Sequence, residues 1–138
     1  SLLRRRLVTI EVSGGLFGDR AANDPTISAE LYFHSPGPEG DWQSWTAVDE
    51  DPAAVPQFAW SRDGNYTYTV AFRCSRPLPR QALFRFVKAG CWPAETGRFA
   101  VRPLLFGRSE SLKGDAPDVH LRPLSEDPSP PAHENLEP

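Results

Sequence analysis

Hydrophobic and polar residues alternate most regularly in NYTYTVAFRC, Asn65 to Cys74. Tyr66, Tyr68, Val70, Phe72 and Cys74 share one parity, and Asn65, Thr67, Thr69, Ala71 and Arg73 share the other. A period of two is that of a strand with one apolar face and one wetter face. QFAW lies just upstream, and the Gly-containing SRDGN between them predicts a hairpin turn. TISAELYFH alternates in the same way, with Ile27, Ala29, Leu31 and Phe33 opposed to Ser28, Glu30, Tyr32 and His34. In RRLVTIEVSG, Val8, Ile10 and Val12 alternate with Leu7, Thr9 and Glu11. ALFRFVKAG carries apolar residues on both parities, which predicts a strand buried on both faces. GRFAVRPL, around Phe99 and Val101, reads as a further strand ended by Pro103. Weaker candidates are Trp42 to Val48 and Asp118 to Arg122.

Breakers such as HSPGPEGD, DEDPAAVP, SRPLP and CWPAETG separate these runs, and no long helical period appears. Many short strands spaced by turn signals predict an all-β fold, a single antiparallel sandwich of jelly-roll or Ig-like type, with a small barrel as the alternative. Gly14 to Thr26 reads as a long loop, because it holds Gly14-Gly15, Gly18 and Asp24-Pro25. After Gly107 the alternation decays. The expected organisation is one β domain over residues 1–121 and a proline-rich acidic tail over 122–138. Only a neighbouring surface, on this chain or another, would hold such a tail in place. The chain opens SLLRRRLVTIEV without a Met, as a processed product or an excised piece would. Arg4 to Arg6 precede only a short apolar run without a small-residue cleavage site, which is a poor signal peptide.

Composition narrows the function classes. The 138 residues suffice for one core. A net charge of −3 gives no basic field for nucleic acid. No apolar run reaches the ~18 residues of a membrane-spanning helix. Cys74 and Cys91 lack the partners for a zinc set. They could pair as a disulfide if their strands are neighbours, or stand as two buried thiols. Asn65-Tyr66-Thr67 matches the N-glycosylation pattern. These features permit an extracellular or virion-surface setting.

Catalytic frames are not apparent. No GxSxG elbow occurs, and the glycines at Gly14, Gly15 and Gly18 lack the Lys-Ser/Thr end of a phosphate loop. His34 with Glu30, and His120 with Asp118, read as solvated sheet positions; His133 falls in the tail. Asp49, Glu50 and Asp51 lack EF-hand spacing and read as a solvated acidic turn. No metal or cofactor is expected. The aromatics carry more. Four tryptophans are present, and Trp42 and Trp45 in GDWQSW have opposite parity. One should therefore enter the core, as Trp60 does beside Phe58, and the other, Trp42, should face out. An outward tryptophan is an interface anchor or a sugar platform. The expected contact set is Trp42, Trp45, Gln43, Asp41 and Tyr32. The first expectation is a non-enzymatic module that binds another protein or a second copy of itself, as a viral-coat surface domain or an ectodomain module does. The alternative is a carbohydrate-binding module.

Overall fold

The structure is a computed structural model and describes residues 5–21, 23–104 and 110–126. The chain is all-β. Its strands are β1 (Arg6–Phe17), β2 (Ser28–Pro36), β3 (Trp42–Trp45), β4 (Gln57–Arg62), β5 (Asn65–Cys74), β6 (Gln81–Val87), β7 (Ala94–Pro103), β8 (Glu110–Asp115) and β9 (Val119–His120). One short helix, α1 (Ala47–Glu50), follows β3.

The strands join in one path, β3-β2-β6-β7-β8-β1-β5-β4, with β9 beside β1. The β4–β5 hairpin turns on Asp63 and Gly64, both at positive φ. That is the backbone a two-residue hairpin of right-handed twist requires, and glycine adopts it without cost. A side chain at Gly64 would also strike the Phe17 ring, 2.8 Å away.

The path doubles back at β7. Residues Ala94 to Ala100 pair with β6, while Val101 to Pro103 pair with β8. The inward faces of β2, β3 and β6 therefore meet that of β5. Phe33 stacks on Phe72 with centroids 5.8 Å apart, and Tyr66 and Tyr68 set their edges against Phe84 at 5.6 and 5.0 Å. Val8, Ile10 and Val12 of β1 complete this buried layer. Aromatic edge-to-face packing of this kind contributes beyond the area it buries.

Several expectations are corrected. The sheet is mixed, because β1 runs parallel to both β8 and β9. The segment from Gly14 is not a loop at first: β1 continues to Phe17, with Gly14 and Gly15 paired to Tyr66 and Asn65. The Tyr66 side chain lies directly over Gly14, so this glycine serves close packing within a strand and not a turn. β6 is buried on one face only. Phe84 and Phe86 are inside, Leu83 is half-buried and Val87 is exposed. Residues Arg122 to Glu126, at the start of the expected tail, pack on the β6–β7 connection. Trp92 N donates to Arg122 O, Leu124 N to Gly90 O, and Trp92 Nε1 to Glu126 O at 2.8 Å. Residues 127–138, and with them His133, lie outside the described residues, as does Arg4.

Candidate functional site

The GDWQSW stretch forms the β2–β3 hairpin. Gly37 N donates to Asp41 O, Gly40 N donates to Gly37 O, and Gly40 takes positive φ. This tight turn sets the register Pro36 to Trp42, His34 to Ser44 and Phe33 to Trp45. Alternation then sends the two tryptophans to opposite sides. Trp45 is 2% exposed, lies against Phe33 and Phe72, and donates its Nε1 to Ser35 Oγ at 3.2 Å. Trp42 is 45% exposed. The guanidinium of Arg98, from β7, sits over its ring at 5.8 Å from the centroid.

The five expected contact residues divide between two places. Trp42 and Tyr32 share the outer face of β3, β2, β6 and β7. Tyr32 stands four residues from Pro36, the partner of Trp42, which is roughly 13 Å along the strand. It is aligned with Leu83, which pairs with Arg98, so the strand that supplies Arg98 lies two strands from Tyr32. Burial raises the Tyr32 phenol pKa, and the neighbouring Glu30 carboxylate adds to it. Gln43 and Trp45 belong to the opposite parity and line a cleft with Arg76. Asp41 is exposed in the turn. Arg98 and Arg76, which complete the two places, carry no local signal in the sequence, because each meets its tryptophan from a strand or segment distant in the chain.

His34 departs from its expected wet position. It lies between Ser44 and Gln81 on the outer face, yet it is only 6% exposed and its Nδ1 has no hydrogen-bond partner. Burial depresses its pKa, and the charge of Arg98 acts in the same direction. The unfolded chain therefore takes up a proton first as pH falls below 6.5, while the folded state stays neutral. Stability should decline as pH falls from 6.5 towards the folded pKa. Denaturant melts from pH 7.5 to 5.5 should show this slope, and His34→Leu should flatten it. His120 is exposed and lies beside Phe17, with ring centroids 5.6 Å apart.

The acids of DED do not form a solvated turn. Asp49 closes a capping box with Thr46 at the start of α1. Glu50 accepts from Ser75 N at 2.9 Å, Ser75 Oγ and Arg76 Nε. Asp51 accepts from Arg73 N and Ala53 N. Hydrogen bonds from Arg73 and Ala53 hold the Asp51 carboxyl below its ordinary pKa. These oxygens fasten α1 to the end of β5, which explains why the run is acidic. Among the described residues, no group of three or more His, Cys, Asp or Glu could hold a metal ion.

The two cysteines are free and buried in the structure. Cys74 faces the core end of β5, where its thiol approaches Arg76 O. Cys91 lies in the β6–β7 connection, with Sγ 3.2 Å from Asp19 Oδ2. Burial raises the pKa of both thiols, and the Asp19 carboxylate raises that of Cys91 further. Neither is primed as a nucleophile. Lys88 anchors the same region by pairing with Asp19 and Asp24. Asn65 of the glycosylation pattern is exposed at the start of β5. No helix among the described residues is long and apolar enough to cross a membrane. No protein family, curated protein or solved structure matches this chain.

Proposed function

We propose that this is a non-enzymatic recognition domain that binds another protein through the outer face of β3, β2, β6 and β7. The observation that carries the reading is the exposed Trp42 with Arg98 stacked upon it. Tryptophan, tyrosine and arginine are the residue types that dominate binding energy at protein interfaces. Here all three stand on one sheet face, with Tyr32 on the same side as Trp42. The arrangement suits a surface domain of a viral coat or an ectodomain module, in which a β scaffold presents a rigid face to a partner or a second subunit. An extracellular or virion-surface location accords with the exposed Asn65.

The carbohydrate reading has less support. Arg98 already covers one face of the Trp42 ring, and Gln43 lies on the opposite parity, away from it. A sugar on Trp42 would lack that polar partner.

Trp42→Ala should leave the folding free energy within about 0.5 kcal/mol, since the ring contributes little to the core. The same change should weaken binding to the cognate protein by roughly thirtyfold or more, as for a hot-spot residue. A display screen against extracellular and coat proteins, repeated with Trp42→Ala and Arg98→Ala, checks this. Glycan-array signal lost on Trp42→Ala, with no protein hits, would transfer the function to the carbohydrate reading.

A further inference from the structure

A second surface lies on the other side of the β2–β3 hairpin. A cleft of about 390 Å³ opens between that hairpin and the segment after β5, lined by Pro36, Pro38, Gln43, Trp45, Arg76 and Pro77. It adjoins a second hollow of about 620 Å³ that shares Pro36 and Pro77 and continues past Leu78, Pro79, Arg80 and Pro103. Prolines dominate the walls, with the polar side chains of Ser35 and Gln43 among them, and the charged side chains there, among the described residues, are Arg76 and Arg80.

Arg76 is held in a fixed orientation. Its guanidinium lies 5.2 Å from the Trp45 ring centroid, and its Nε donates to Glu50 Oε2 at 2.8 Å. Only Nε is used in that pair. The Nη groups have no side-chain acceptor among the described residues, so the cleft offers oriented donors for a further carboxylate. An apolar groove walled by prolines with a fixed cation suits an extended proline-rich peptide that carries acids.

The chain contains such a segment. Residues 127–138 read DPSPPAHENLEP, with Pro128, Pro130 and Pro131 followed by Glu134 and Glu137. Pro128, Pro130 and Pro131 follow Glu126 too closely to reach the cleft of their own chain. Glu126 is bonded to Trp92, beyond the far end of β6, whereas the cleft lies before its near end. The six steps of β6 alone span roughly 20 Å. The five residues from Glu126 to Pro131 span only about 16 Å in the polyproline conformation. We infer that the cleft at Trp45 and Arg76 receives the acidic proline-rich segment 127–138 of a second copy of this chain. Each copy offers one tail and one cleft, so reciprocal exchange closes a dimer and serial exchange generates rings or open chains of subunits.

The test uses the full chain and a fluorescein-labelled synthetic peptide of residues 127–138. Anisotropy should rise with saturation as protein is added, and Gln43→Glu should weaken that binding about tenfold by setting a like charge in the cleft. Gln43 is exposed, so this variant keeps the fold, which a melt would verify. Pro130→Ala with Pro131→Ala in the peptide should weaken binding as well. Trp42→Ala should not change it, which separates this contact from the outer-face reading. Light scattering of the full chain should show mass rising with concentration, and Gln43→Glu should move that rise to about tenfold higher concentration. Absent saturation, binding indifferent to Gln43→Glu, or a chain that stays monomeric above the peptide's Kd would each overturn the inference.

Discussion

Phe72→Ala is expected to destabilise the protein by about 3–5 kcal/mol, whereas Thr69→Ala, three positions away on the same strand, should cost under about 1 kcal/mol. The contrast follows from the facing of β5. Phe72 is fully buried where β2, β3 and β5 meet, stacked on Phe33 and touched by the edge of Trp45 at 6.0 Å. Truncation would remove one ring from a three-ring cluster and leave a cavity that the paired strands cannot collapse. Thr69 looks outward between Glu11 and Gln57. With a total stability of roughly 5–15 kcal/mol for a domain of this kind, the first loss is a large share of the whole. Urea melts with a common m-value would test the pair. Equal costs would mean that β5 faces the other way, and the placement of Trp45 would fall with it.

How much of this was legible depends on how local each cause is. β2, β5 and the first half of β1 are visible because each places bulky apolar groups on alternate residues against one core. The opposite facing of Trp42 and Trp45 follows from the same rule. β8 is not visible, because its core positions are Leu112 and Gly114. Gly114 is inside because Val101 and Phe99 take up the space a side chain would need, with Val101 Cγ1 2.9 Å from the place of a Cβ. A glycine chosen for its neighbour's volume looks like a breaker in a one-dimensional pattern. The parallel β1–β8 pairing joins residues about a hundred positions apart and leaves no periodic trace. Thr46 with Asp49 does carry the capping-box spacing, a local signal outweighed by the adjacent run of acids. The partners of Glu50 and Asp51 on and beyond β5 could be found only by folding the chain. The same is true of Arg98 over Trp42, on which the outer-face reading rests.

Those acids give the second large effect. Glu50→Ala should cost about 2–4 kcal/mol, more than any exposed ion pair in the protein. The Glu50 side chain is 11% exposed, and its carboxylate accepts from Ser75 N, Ser75 Oγ and Arg76 Nε. Removing it leaves a backbone N–H and a guanidinium without their acceptor, and releases Arg76 from Trp45. Arg102 and Asp115 supply the control. They also form an ion pair, but at 60% and 66% side-chain exposure, and Arg102→Ala should cost under about 1 kcal/mol. Burial pushes the Glu50 carboxyl up, but the bonds from Ser75 and Arg76 outweigh it, and the folded pKa lies below 4.5. Its contribution is therefore complete above the unfolded value near 4.5 and is lost as pH falls through the lower folded value. Melts at pH 7 and pH 3.5 should show the wild type losing stability over that interval. Glu50→Gln, which keeps the shape but cannot titrate, should be weaker at pH 7 and should change less between the two. A Glu50→Ala cost no greater than that of Arg102→Ala would mean that α1 is not fastened to the end of β5 by this carboxylate. The fixed orientation of Arg76 would then need another cause.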